Sequence, residues 1–246
     1  MKYIFDTAFL PSEQLKEHDT CIVVDLLRAS TMITSFFDGG GSVLVPVSKV
    51  EDAFAMREKL GPDWKIMGER GGKRVEGFDF GNSPTELLAG VVPEFAVITT
   101  SNGTKAIERA ARNCPRVLAG CVRNAEAVCW DALCSGERIG IICSGRNGEF
   151  SLEDAVCAGF LIEKLLALAP SNGGESMELT DGAMTAMALW HQFGPDLTAV
   201  CMESEHGRIL TELGFENDLF FCTEPDTSST VPVLKNIDGV NAIVGR

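Results

Sequence analysis

At 246 residues, with 45% hydrophobic composition and a mean hydropathy of +0.11, the chain carries enough apolar material for one large domain or two closely packed lobes. A net charge of −14 and the lack of any Lys/Arg run exclude a nucleic-acid-binding face. No segment approaches the ~18 consecutive apolar residues of a membrane span, and Asp6 falls where a signal peptide would continue its apolar run, so a cytoplasmic protein is expected. The nine cysteines are odd in number and include no Cys-x-x-Cys pair, which predicts free thiols and argues against a structural zinc site.

The pattern opens with a short edge strand over 3–5, a polar stretch, and a strand over 21–25. A helix over 31–39, stopped by Gly39-Gly-Gly41, and a strand over 43–47 complete a strand–helix–strand unit. Ser48 and Glu51 have capping-box spacing ahead of a helix reaching Leu60, and a strand follows at 65–67. Residues 68–84 hold five glycines and many charges and read as a long functional or mobile stretch without regular structure. Helices are predicted at 84–89, 103–112, 124–133 and 153–168, with strands at 116–119 and 139–143. Beyond a linker at 171–174, helices at 185–193 and 198–213 and strands at 219–222, 231–234 and 239–244 form a C-terminal third (about 171–246) expected to pad the same fold and close over the site.

Repeated β-then-α order predicts an α/β fold, in which loops leaving the carboxyl ends of strands gather on one edge and face ligands. Four apolar segments run into such loops. In the first, Asp25 follows three apolar strand positions, where a lone charge is costly to bury, and Arg28, Ser30 and Thr31 come within two turns of chain. The second carries Glu69 and Arg70, the third Thr99, Thr100, Ser101, Asn102 and Thr104 ahead of a helix, and the fourth Arg146. Hydroxyls, amides and a helix N-terminus converge naturally on an anion, and four hydroxyls, an amide and a glycine within six residues exceed the need of a helix cap. A hard cation such as Mg²⁺ takes one or two carboxylates with water and phosphate, so Asp25 with Asp154 or Glu69 suffices.

Other chemistries fail on spacing. Around Gly68-Glu-Arg-Gly-Gly-Lys73-Arg74 the P-loop pattern breaks at Met67 and at Arg74. A Cys-phosphatase loop from Cys143 would need Arg where Glu149 stands, so Cys143 is expected to be a packing residue. His18, His191 and His206 are scattered and none lies in a strand-end loop, which argues against a histidine general base.

Asp25-Leu-Leu-Arg28-Ala-Ser-Thr31, Gly68-Glu-Arg70-Gly, Gly77-Phe-Asp79-Phe-Gly-Asn82-Ser-Pro84, Thr99-Thr-Ser-Asn102-Gly-Thr104, Gly120-Cys-Val-Arg-Asn124 and Glu153-Asp154-x-x-Cys-Ala-Gly159, in this order, closely resemble the 2-phosphosulfolactate phosphatase (ComB) family. A weaker echo follows at Ser204-Glu-His-Gly-Arg208, Gly214-Phe-Glu-Asn-Asp218 and Val231-Pro-Val. Ser30 and Ser101 stand where Thr is common in these motifs, which keeps the hydroxyl. The resemblance implies a three-layer α/β/α fold with a central mixed sheet. It also implies a cytoplasmic Mg²⁺-dependent phosphatase that converts 2-phospho-3-sulfolactate to 3-sulfolactate and phosphate on the route to coenzyme M.

On this reading Asp25, Arg28 and Arg70 are catalytic, and Asp25, Glu69 and Asp154 are the metal ligands. Ser30, Thr31, Asn82, Thr99, Thr100, Ser101, Asn102, Thr104 and Arg146 bind a small phosphorylated anion. A homodimer is the default assembly. The competing reading is a non-catalytic binder of small organic anions, but such a receptor gains nothing from several acids that repel its ligand.

Overall fold

The apolar run at the first motif forms strand β2 (Thr20–Val24), buried at every position, as a strand covered on both faces must be. Its side chains alternate: Ile22 and Val24 enter one hydrophobic layer, Cys21 and Val23 the other. Removing a side chain such as Ile22 from water contributes about 1.5–3 kcal/mol. The computed structural model describes residues 2–13, 17–169 and 176–246, and the linker expected at 171–174 lies outside them.

The remaining strands are β1 (Lys2–Ala8), β3 (Val43–Pro46), β4 (Lys65–Arg70), β5 (Lys73–Arg74), β6 (Phe95–Thr99), β7 (Val117–Gly120), β8 (Arg138–Cys143), β9 (Ser176–Leu179), β10 (Val233–Ile237) and β11 (Val240–Val244). Together with β2 they form one mixed sheet in the order β5-β4-β6-β3-β11-β10-β7-β2-β8-β1-β9. Helices α5 (Ala125–Ser135), α6 (Leu152–Leu168) and α7 (Asp181–Phe193) cover one face. Helices α1 (Ala29–Asp38) and α4 (Gly103–Asn113) cover the other, giving the three-layer α/β/α arrangement that the resemblance implied. No helix among the described residues is long and apolar enough to cross a membrane.

Two parallel blocks make up the sheet: β7, β2, β8, β1 and β9 in one, β3, β6 and β4 in the other. The antiparallel β10–β11 hairpin joins them, pairing with β7 on one side and β3 on the other, so the C-terminal segment is built into the middle of the sheet. Three antiparallel pairings make the blocks run in opposite senses. The loops that leave the carboxyl ends of β2, β6 and β8 meet all the same, with Gly103 against the Asp25 carboxylate and Asn147 N bonded to Asn102 Oδ1.

Several expectations need correction. β1 lies between β8 and β9 and is interior, because β9, which the sequence pattern did not predict, covers its outer edge. The capping box at Ser48 does not form: helix α2 (Val50–Leu60) is capped at Lys49 without a side-chain bond, and the Ser48 hydroxyl donates to Glu108 instead. The 68–84 stretch holds the β4–β5 hairpin and a bridge from Met67 to Phe80 before α3 (Pro84–Ala89), so it is not structureless. The helix expected over 198–213 is broken into α8 (Leu197–Glu203) and α9 (Glu205–Glu212) at Ser204, whose side chain accepts from Gly207 N and starts the second helix. Residues 219–222 belong to helix α10 (Glu216–Cys222) rather than a strand. Leu219 and Cys222 are buried three residues apart while Phe220 is half exposed, so helical periodicity prevails over the local apolar run.

Candidate active site

Asp25 leaves the carboxyl end of β2 and is 7% exposed. Its Oδ1 accepts from Ala29 N (3.0 Å) at the start of α1. Its Oδ2 lies against the start of α4, where a Cβ on Gly103 would stand 2.6 Å from that oxygen. Only glycine lets the helix begin this close to a carboxylate. Burial raises the Asp25 carboxyl above its usual range and nearby Glu69 adds to the effect, while Ala29 N, His206 and Ser144 oppose it.

Glu69, at the end of β4, binds the third loop to the second. Its Oε1 accepts from Ser101 N (2.7 Å), and its Oε2 from Gly72 N (2.8 Å) and Ser101 Oγ (3.2 Å). Asp154, in the first turn of α6, joins the first loop to the fourth: Oδ1 accepts from Leu26 N (2.9 Å), and Oδ2 from Ser144 Oγ (3.0 Å) and Gly145 N (3.1 Å). Burial, with Asp25 and Glu153 close by, pushes Asp154 well above the usual carboxyl range. Asn102 Oδ1 accepts from Asn147 N (3.0 Å), tying the third and fourth loops together. The four strand-end loops therefore converge.

The residues predicted to bind or catalyse fall into distinct groups. Arg28 does not pair with Asp25. Its guanidinium, 2% exposed, donates from Nη1 to Asp218 Oδ2 (2.6 Å) and from Nη2 to Gly72 O (2.9 Å), and stacks over Phe215. Asp218 also accepts from Ser83 Oγ, Thr85 N and Thr85 Oγ1, so this buried network clamps α10 onto the β2 and β4 loops. Arg70 donates to Glu69 O (2.6 Å), Ser48 O (3.2 Å) and Thr99 Oγ1 (2.8 Å).

Most of the hydroxyls serve the loops themselves. Ser30 Oγ donates to Asp25 O and Thr31 Oγ1 to Leu26 O, while Thr100 Oγ1 and Thr104 Oγ1 accept from each other's backbone N–H. Asn82 is buried, and its Oδ1 has no hydrogen-bond partner. Arg146 forms an ion pair with Glu205 of α9. Cys143 is fully buried and its thiol is pushed well above the usual range by burial and by Asp154, which fits a packing role.

The residue that sequence reasoning passed over is His206. It stands in the first turn of α9, its Nδ1 3.7 Å from Glu153 Oε1 and its ring near enough to Asp25 to oppose the rise of that carboxyl. Burial pushes Glu153 up, but the nearby His206, with its own backbone N–H and Ser151, outweighs this and leaves its carboxyl lowered. The available signal was Ser204-Glu-His-Gly-Arg208 itself: a Cβ on Gly207 would stand 1.6 Å from Cys201 O, so glycine is what lets α9 abut α8 and present His206. A cleft of about 230 Å³ opens beside His206, lined by Arg146, Ser151, Glu153, Glu205 and Arg208 among others.

None of Asp25, Glu69 and Asp154 forms a salt bridge to Lys or Arg among the described residues. Nor do three His, Cys, Asp or Glu side chains among them stand close enough to enclose a metal ion unaided.

A family model described as 2-phosphosulpholactate phosphatase matches residues 7–237. Similar proteins include those of Pseudothermotoga lettingae (36% identity over 231 residues, 94% of this chain and 95% of the relative) and Deinococcus radiodurans (37% over 226 residues, 91% of each). Another is that of Thermus thermophilus (36% over 239 residues, 96% of this chain and 97% of the relative). Each carries the name "Probable 2-phosphosulfolactate phosphatase".

Proposed function

The chain belongs to the 2-phosphosulfolactate phosphatase family, a family of phosphoric monoester hydrolases, and on that footing we propose that it hydrolyses 2-phospho-3-sulfolactate to 3-sulfolactate and phosphate with Mg²⁺. The observation that carries this reading is the meeting of Asp25 and Glu69 at the opening of α4. An anion receptor has no use for two uncompensated acids there, whereas a metal-assisted phosphatase does.

The donor set suits the ion. Two buried carboxylates, served by N–H and O–H groups but by no Lys or Arg among the described residues, are hard oxygen ligands short of positive charge. Mg²⁺ takes one or two carboxylates and completes its coordination with water and phosphate, so Asp25 and Glu69 would hold it without a third acid. When bound, it neutralises charge on the phosphoryl oxygens. Glu69 and Asp154 alike have both oxygens engaged by N–H and O–H groups of the loops, so either would give up one such bond to join Asp25 as the second ligand.

The protein's own groups do the rest. Backbone amides opening α4, helped by the helix dipole, receive the phosphate. Arg70 holds Glu69 and the 99–104 loop in register through its bonds to Glu69 O and Thr99 Oγ1. His206, its Nδ1 beside Glu153, keeps Nε2 for donating a proton to the departing alkoxide oxygen.

The family resemblance, together with nine free thiols, supports a cytoplasmic enzyme on the way to coenzyme M, and a homodimer is the commonest assembly for such a chain.

Phosphate release from 2-phosphosulfolactate and a panel of other phosphomonoesters, measured with Mg²⁺, after EDTA and after Mg²⁺ is restored, tests the reading. The expected result is turnover that EDTA abolishes and Mg²⁺ recovers. Release from no substrate would favour the anion-binding alternative.

A further inference from the structure

We infer that the cleft between the β8–α6 loop and α9 receives the end of the substrate remote from its phosphate, and that Arg208 and Arg146 select a second strongly acidic group there; this rests on the phosphatase reading above. The cleft borders the α4 end of the site: Asn147, next to Arg146 on its rim, donates from N to Asn102 Oδ1 (3.0 Å) at the start of α4, and Glu153, 3% exposed, forms a buried part of its wall. His206 stands between that wall and α9. A substrate phosphorylated at the α4 end of the site thus passes His206 before its far end reaches the two arginines.

The arginines near the site differ in what already occupies them. Arg28 is locked into Asp218, Gly72 O and Phe215, and Arg70 is held by three oxygen acceptors. Arg146 and Arg208 are engaged more lightly, the first by the Glu205 carboxylate and the second by Glu203 O. Each guanidinium has five N–H donors in a planar fork that matches carboxylate or sulfonate oxygens in pairs, so donors remain.

Glu205 is the exchangeable partner. Its side chain is 67% exposed against 24% for Arg146, so the arginine is anchored and the carboxylate is not. An incoming sulfonate replaces Glu205 on Arg146 like for like, and Arg208 closes on its other side. Of the other acids in the lining, Glu149 and Glu203 are exposed to water, which screens their repulsion, and the buried Glu153 faces His206, its Oε1 3.7 Å from Nδ1. A volume of about 230 Å³ is below the ~300–1,000 Å³ usual for larger organic ligands, which limits the guest to a short acid such as a sulfomethyl arm.

The test compares 2-phosphosulfolactate with 2-phospholactate, which keeps the phosphate and carboxylate but lacks the sulfonate. Arg208→Gln is expected to raise KM for the sulfonate substrate about 10- to 100-fold, the factor carried by a charge-assisted hydrogen bond, while KM for 2-phospholactate moves less than about twofold. Arg208→Lys should restore part of the loss, and Glu205→Gln should lower KM for the sulfonate substrate by freeing Arg146. Arg208 is exposed, so the variants are expected to fold, and a thermal melt checks this. Equal losses on both substrates, or an unmoved KM, overturn the inference. Failure of the unmodified enzyme to release phosphate from either substrate overturns the phosphatase reading, and this proposal falls with it.

Discussion

Replacing Gly103 by alanine probes the convergence of the loops at its tightest point. The new Cβ would stand 2.6 Å from Asp25 Oδ2 and 2.6 Å from Ala29 Cβ, where ordinary contact begins at 3.4 Å. Neither neighbour has room to yield, since Ala29 is fully buried and Asp25 nearly so. The start of α4 or the carboxylate must therefore shift by about 0.8 Å. Misplacing a positioned group by about 1 Å costs on the order of 10²-fold in rate, or about 2.7 kcal/mol of transition-state stabilisation. Overpacking costs about 1–3 kcal/mol of stability, and the better helix propensity of alanine returns up to about 1 kcal/mol. Gly103→Ala should thus lose about 100-fold in kcat/KM for phosphate release while urea unfolding shows a loss of no more than about 3 kcal/mol. Activity within threefold of the parent, at unchanged stability, would refute the proposed contact between α4 and Asp25.

Asp25→Asn changes charge without volume, so at least about a 10³-fold fall in kcat with a near-native melting temperature is expected; an unfolded variant that keeps its turnover per folded molecule would make the residue structural. Asp218→Ala leaves the Arg28 guanidinium buried and unpaired and should cost about 3–5 kcal/mol in denaturant titration, so a loss under about 1 kcal/mol would contradict the clamp. The His18 hydrogen bond, aided by Thr180 and Thr7 N, holds the Asp6 carboxyl down at about 2, against 3.8 when free. Because the folded state binds this proton less readily, the stabilisation is present above pH 3.8 and lost as pH falls through about 2. Asp6→Asn is therefore expected to destabilise by about 1–2 kcal/mol at pH 7, after allowance for partial exposure, and by nothing measurable about one pH unit below the folded-state value. A gap between variant and parent that does not depend on pH would rule this out.

Local pattern made much of the fold legible. The segments that became β2, β6 and β8 are short apolar runs closed by Gly, hydroxyl or charged residues, and α3, α4 and α6 begin within one residue of where their caps and periodicity place them. Errors cluster where a tertiary partner overrides the local signal. Ser48 left its capping box for Glu108, sixty residues away, and the apolar 219–222 run became helical on packing its buried side against the core.

The site divides in the same way. That the fold is α/β, and that Asp25, Glu69, the 99–104 loop and Arg146 each sit in a strand-end loop, followed from residue type and spacing, because such a loop is a local object; that these loops meet although their strands lie in blocks of opposite sense was decided by the tertiary structure. Which of those side chains remain available to a ligand was decided only in three dimensions. Asp218, 190 residues downstream, took Arg28, and the hydroxyls of residues 100 and 104 were used in building their own turn. The β10–β11 hairpin joined two strand blocks of opposite sense, and α9 brought His206 and Arg208 to the opening. Periodicity and caps act over a few residues and can be read along the chain. A buried charge instead takes whichever partner the packing brings within about 3 Å, and that choice exists only once strand order and sheet twist are set.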